Sequence, residues 1–430
     1  MKHTVEEVRL KNGARGLLID IPGATVMSFE FQFRAGNRYA KDKDVYEVAH
    51  VMEHMSFGAN AKYHSEHDFE AEFTKNGAYH NAFTSDYSMV YMADCADFEW
   101  ERILKLQEVS LCQPRFNETE LEAEKGNVRS ELTGYLNNHA RLVWPKVQQL
   151  LGEDVLTFNQ RLKTINNITL ADIKRHHKLT HTSDNMRFVI AGKLFGRKAE
   201  IRRQLEDWAL PRGERFEVPK DELSSANPTL IRRKEASNVT FAWSMVLPRV
   251  LNDAELDAMS CLNHMLTGTT HSRIFGQARK KGLAYGMFSD TTASRYESSW
   301  DFGGEVNLEK SSELFGIIQK QLEAVLAGKI TEKELDAAKS YALGRHQMGA
   351  QTVAQISNFY TSRYFNDGVV KEYEKVPESI KNISLQLIID TARAFVEANT
   401  WVLAAVSGGE KEDVVVLNDQ LQTLFEKEAK

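Results

Sequence analysis

Three residues of this chain stand close enough to do chemistry together: His50, Glu53 and His54, in the stretch Tyr46-Glu47-Val48-Ala49-His50-Val51-Met52-Glu53-His54-Met55. On a helix, residues four apart project from one face, one turn apart, so both imidazoles can reach a single metal ion. Glu53 borders that face, where a carboxylate can take a proton from a water beside the metal. The order H-x-x-E-H reverses the more common H-E-x-x-H, and the chemistry it suggests is zinc-assisted hydrolysis of an amide. Histidine pairs at this spacing usually bind nothing, so the surroundings must be weighed. The stretch holds no Gly or Pro, and Gly58-Ala59-Asn60 supplies a helix stop. Val51, Met52, Met55 and Phe57 predict partial burial. Burying two histidines and a glutamate is costly unless a metal or hydrogen bonds satisfy them.

Catalytic zinc usually has three protein ligands and one open position. A predicted helix supplies Glu118, Glu120, Glu122, Glu124 and Glu131 as candidates for the third, and spacing does not choose among them. Glu124 and Glu131, seven apart, share a face about two turns apart. One could bind metal while the other hydrogen-bonds a ligand or a water.

The elements that must position these residues follow from periodicity. Residues 25–35 alternate apolar and polar and read as a strand. Residues 78–93 read as two strands around the turn Ser85-Asp86. Helices are predicted from about Asp97 to Leu111 and from Glu118 to about Gln149, and a strand at Met186–Gly192 closes this half. Pro211 to Pro228 is polar and turn-rich and reads as a linker. The second half repeats the order: strand Asn238–Val246, helix Ala254–Leu266, strands around 285–307, helices over 311–327 and 331–348, and a closing strand Trp401–Val406. Two alignments support an internal repeat. Cys261-Leu262-Asn263-His264-Met265 lies against the first motif, with His264 opposite His54, Asn263 opposite Glu53 and Ser260 opposite His50. The run from Glu332 to Lys339 lies against that from Glu118 to Lys125. The expected architecture is α+β: two homologous α/β-sandwich domains, each a mostly antiparallel sheet packed with helices, the second lacking the metal site. The expected boundaries are 1–212, a linker over 213–228, and 229–430.

At 430 residues the chain is long enough for two domains. Its 42% hydrophobic and 27% charged residues are those of a soluble globular protein. A net charge of −6 without a basic stripe argues against nucleic acid. No apolar run is long enough to span a bilayer. The first residues lack a signal-peptide core, so a cytoplasmic location is the default expectation. Cys95, Cys112 and Cys261 are scattered in apolar surroundings and read as buried thiols.

Across nearly its whole length the chain resembles the pitrilysin-like, or inverzincin, zinc metallopeptidases, in their half-length form, similar to the mitochondrial processing peptidase subunits and bacterial two-domain relatives. Four stretches carry the resemblance. The first is His50–His54 with the preceding Ala35-Gly36-Asn37-Arg38. The second is Gly77-Ala78-Tyr79-His80-Asn81-Ala82-Phe83-Thr84, similar to an edge strand that pairs with extended substrate. The third is Glu124-Lys125-x-x-Val128-x-x-Glu131-Leu132. The fourth is Ser272-Arg273-Ile274-Phe275 followed by Arg279-Lys280-Lys281-Gly282-Leu283-Ala284-Tyr285. Arg279 stands six residues before Tyr285, where the family commonly has seven, so Tyr285 is the firmer match.

The resemblance implies a zinc-dependent endopeptidase acting on extended or unfolded peptides. It selects Glu131, 77 residues beyond His54, as the third ligand with His50 and His54, and makes Glu124 its supporting acid. It implies one Zn2+ per chain and Glu53 as the proton carrier. Tyr285 and Arg279 would stabilise the oxyanion, and Asn81, Ala82, Phe83 and Thr84 would pair with substrate. The family builds a chamber from four such units and this chain has two, which implies a homodimer, or a heterodimer with an inactive sister. The alternative from another class is a non-catalytic structural or peptide-binding subunit of a processing-peptidase-like complex.

Overall fold

The computed structural model describes residues 1–426. In chain order, its first half forms β1 (Thr4–Arg9), β2 (Arg15–Asp20), β3 (Val26–Phe33), α1 (Val48–Met55), α2 (Glu66–Thr74), β4 (Tyr79–Thr84), β5 (Met89–Ala96), α3 (Trp100–Cys112), α4 (Glu118–Leu136), α5 (His139–Leu151), α6 (Phe158–Thr164), α7 (Leu170–Thr180), β6 (Arg187–Gly192) and α8 (Lys198–Asp207). The second half forms β7 (Thr229–Arg232), β8 (Asn238–Leu247), α9 (Asp253–Thr267), α10 (Phe275–Lys280), β9 (Ala284–Ala293), β10 (Ser298–Asn307), α11 (Ser311–Leu326), α12 (Glu332–Met348), α13 (Val353–Asp367), α14 (Val376–Asn382), α15 (Leu385–Ala398), β11 (Thr400–Ser407) and α16 (Lys411–Gln422).

The strands make two sheets, in the orders β1-β2-β6-β3-β5-β4 and β7-β11-β8-β10-β9. Each has one parallel pair, β2 with β6 and β7 with β11, and is otherwise antiparallel. With β1 set aside, the two orders match strand for strand. The mixed α+β fold with two homologous units is therefore present in the pairing itself.

The compact units do not coincide with the sequence halves. The first comprises Met1–Thr133, Asn159–Pro219 and Met348–Lys371; the second comprises Gly134–Phe158, Lys220–Gln347 and Glu372–Lys430. Boundaries at 1–212 and 229–430 miss two excursions. The predicted helix from Glu118 to about Gln149 is broken at Asn137-Asn138, where Asn138 accepts from the Arg141 amide and caps a new helix. That new helix, α5, belongs to the second unit. Its Leu142, Val143, Val147 and Leu151 bury against Ala242 and Val246 of β8 and Val402, Ala404 and Val406 of β11.

The reciprocal excursion carries α13 to the first sheet. β3 turns Met27, Phe29, Phe31 and Phe33 to one face and Ser28, Glu30 and Gln32 to the other, and all seven are buried. The polar face is covered because α13 meets it with hydroxyls. Ser357 and Thr361 donate to Glu30 Oε1 at 2.9 and 3.1 Å. Burial raises the Glu30 pKa above the usual carboxylate range, and these two donors oppose it. Residues 211–228 form neither helix nor strand. Cys95 and Cys261 are buried, Cys112 is half-buried, and none is paired. No helix among the described residues is long and apolar enough to cross a membrane.

Candidate metal centre

α1 is eight residues long and almost wholly buried, with Val48, Ala49, Val51, Met52 and Met55 turned into the first unit's core. Its remaining stripe presents His50, Glu53 and His54. α4 presents Glu131 to the same place. His50 Nε2 and His54 Nε2 lie 3.5 and 3.6 Å from Glu131 Oε2. The candidate ligand atoms of these three residues all fall within 4.8 Å of one another, and they are the one such group found among the described residues.

Each imidazole is held from behind. His54 Nδ1 lies 2.9 Å from Glu124 Oε2, which also accepts from Asn127 Nδ2 at 3.1 Å. His50 Nδ1 lies 3.0 Å from Glu47 Oε2. Glu47 is fully buried and receives both the Nε and an NH2 group of Arg161, from α6. An ionised carboxylate only accepts, so each Nδ1 is the donor and each Nε2 faces Glu131. The donor set of two imidazoles and a carboxylate, with carboxylates behind both rings, suits zinc. Neither Glu47 nor Arg161 stood out in the sequence; the only available signal was Glu47 one helical turn before His50.

Electrostatics follow from the crowding of acids. Burial opposes charge on His50, but hydrogen bonds to Glu131 and Glu47 outweigh it and lift its pKa to about 9. His54 rises to about 10, with Glu124 and Glu131 overcoming burial. The His54 hydrogen bond holds Glu124 low. For Glu47, the Arg161 charge overcomes the cost of burial and the pKa falls. Glu53 is raised by burial, against the pull of both histidines. Metal and protons therefore compete for the same two rings.

The strand residues Asn81, Ala82, Phe83 and Thr84 lie on β4, the edge strand beyond β5. Asn81 and Phe83 are exposed and Ala82 is buried. Thr84 turns its hydroxyl onto Glu53 Oε2 at 3.0 Å. Arg279 and Tyr285 belong to the second unit, at the end of α10 and the start of β9. The Arg279 guanidinium sits 4.5 Å from the Tyr285 ring centre, and Tyr285 is 86% exposed.

The second unit keeps the scaffold of this centre without its ligands. Asn263, opposite Glu53, donates to Thr291 Oγ1 at 3.0 Å, as Glu53 accepts from Thr84. Trp300 Nε1 donates to Asn263 Oδ1 at 2.8 Å. His264, opposite His54, stacks on Tyr341 with ring centres 3.7 Å apart.

Two family models match this chain: one described as insulinase (peptidase family M16) over residues 17–161, the other as the peptidase M16 inactive domain over 167–341. An uncharacterized zinc protease of Rickettsia bellii is 23% identical over 406 residues, 91% of this chain and 95% of that one. The non-peptidase homolog YmxG of Helicobacter pylori is 24% identical over 323 residues, 74% of each chain. The crystal structure of a peptidase M16 inactive domain from Pseudomonas fluorescens superposes with a TM-score of 0.82 at 19% identity, covering 94% of this chain and 98% of that one. At that identity the likeness speaks for the fold.

Proposed function

The chain belongs to peptidase family M16, and from that membership we propose that it is a zinc-dependent endopeptidase acting on extended or unfolded peptides. One observation carries the reading: His50 Nε2, His54 Nε2 and Glu131 Oε2 converge while Glu53 lies beside them on the same helix. His50, His54 and Glu131 would hold one zinc ion per chain, with Glu124 supporting His54. Zinc there supplies Lewis acidity toward a water and a peptide carbonyl. Glu53, its proton affinity raised by burial, takes the proton of the attacking water and returns it to the leaving amine. Asn81, Ala82, Phe83 and Thr84 offer an edge to which an extended peptide can add as a strand, with weak sequence demands. Tyr285, and Arg279 against its ring, are assigned the oxyanion on the strength of the resemblance.

The family's four-unit chamber supports a paired assembly, as a homodimer or with an inactive sister chain. Unpaired thiols fit a reducing compartment, and the cytoplasm is the proposed location. A second reading is favoured by one observation, the similarity to a relative named a non-peptidase homolog. On that reading the chain is a structural or peptide-binding subunit. Cleavage of an unstructured peptide library by wild type and by Glu53→Gln, with zinc measured on the same samples, separates the two. The peptidase reading requires that the variant keep zinc and lose cleavage; equal cleavage by both proteins overturns it.

A further inference from the structure

We propose that Glu47 and Arg161 act as one positioning unit for His50, setting the strength with which the centre holds zinc. The inference rests on the zinc reading above. Glu47 is the residue immediately before α1 and is completely buried. A buried carboxylate is strongly destabilising unless its charge is met and its oxygens are hydrogen-bonded. Here both oxygens are used. Arg161 grips the carboxylate through two nitrogens of its fork, Nε on Oε1 and NH2 on Oε2, the latter at 3.0 Å. His50 Nδ1 donates to Oε2 at 3.0 Å.

The consequence is geometric. The two-pronged grip fixes the carboxylate plane. The fixed carboxylate accepts from Nδ1 and so dictates which nitrogen carries the hydrogen and where the ring points. Nε2 is left facing Glu131 Oε2, 3.5 Å away, as the ring nitrogen that a metal would take in place of a proton. His54 has no such clamp: its carboxylate, Glu124, is anchored by the amide of Asn127 from its own helix. Arg161 comes from 114 residues beyond Glu47, at the point where the chain re-enters the first unit. The placement of one ligand is thus set by a distant segment and not by α1 alone.

The test is a double-mutant cycle read by zinc affinity. Wild type, Glu47→Gln, Arg161→Met and the double variant are stripped of metal and titrated with zinc against a chromogenic chelator, alongside thermal unfolding of each metal-free protein. Each single variant is expected to bind zinc about 10–100-fold more weakly. The double variant is expected to be no weaker than the weaker single, because Arg161 acts through Glu47. Arg161→Met leaves Glu47 buried without its counterion and can fail to fold. The double variant avoids that burden, and Arg161→Lys, which keeps the charge but not the fork, is expected to recover only part of the affinity. Wild-type zinc affinity in Glu47→Gln, with or without a lower melting temperature, overturns the proposal. Additive losses overturn the coupling of the pair. His50→Ala and Glu131→Gln run in parallel: if they too bind zinc normally, it is the zinc reading that has failed.

Discussion

The hydroxyl of Thr84 lies 3.0 Å from Glu53 Oε2, so the edge strand proposed to pair with substrate also holds the carboxylate proposed to move the proton. β4 and the Glu53 carboxylate are therefore mechanically linked. Thr84→Val, similar in shape, removes the donor and frees Glu53 to rotate. A hydrogen bond to a charged group contributes roughly 1.5–3 kcal/mol, so kcat is expected to fall about 10-fold or more with zinc content unchanged. Steady-state kinetics with metal analysis checks this; an unchanged kcat detaches Thr84 from the chemistry.

Glu131 and Glu124 share α4 but are expected to fail differently. Glu131→Gln should lower zinc stoichiometry at micromolar metal, because it removes a ligand charge. Glu124→Gln should reach full stoichiometry at higher metal, with affinity about 10–100-fold weaker. Elemental analysis after dialysis at graded zinc concentrations distinguishes them, and the reverse pattern would exchange the two roles.

Asp301 gives the second unit a pH dependence. It lies on β10 between Ser244 of β8 and Asp290 of β9, and accepts from Ser299 at 2.8 Å. Burial raises its pKa from 3.8 to about 6, against the two serine hydrogen bonds. The sign follows from linkage: the folded state holds this proton more tightly than the unfolded chain. The resulting stability is complete below about pH 4 and is lost as pH rises through about 6. Asp301→Asn should therefore stabilise the protein at pH 8, by at most about 3 kcal/mol, and much less at pH 4. Urea unfolding at both pH values tests it; equal differences at the two would show that burial does not govern this group.

Leu142 measures how much the exchanged helix matters. It is buried where α5 crosses β8 and β11. Leu142→Ala leaves a cavity and is expected to cost roughly 2–4 kcal/mol. A loss below about 1 kcal/mol in denaturant melts would mean that α5 docks loosely.

What could be read from the chain depended on whether a residue's partner lay nearby. The strand over 25–35 and the helix of His50–His54 were legible because alternation and helical spacing are local signals. Glu131 was not separable from its neighbours by spacing; the family resemblance selected it. Glu47 and Arg161 escaped entirely, because the pair closes over 114 residues. α13 escaped too, although Val353, Ile356, Tyr360, Tyr364 and Phe365 bury at helical spacing; what no local signal gives is its docking on β3, through Ser357 and Thr361 to Glu30, more than 320 residues earlier. The run from Glu118 to Gln149 read as one helix because Asn137-Asn138 is a weak break, although it marks the passage into the other unit.

The reciprocal loan of α5 and α13 also sets a timetable for synthesis. Glu30 waits for hydroxyls 327 and 331 residues further along the chain. The first sheet is fully encoded by Gly192, yet its polar face stays open until Thr361 has left the ribosome. Closing so long a loop is slow, and the open face is a hazard while it lasts. A nascent chain stalled near residue 340 is expected to be cut by protease within β3, and one stalled well beyond Asp367 to resist. Closure of the first unit is thereby tied to synthesis of the chain through α13, long after its sheet has been made.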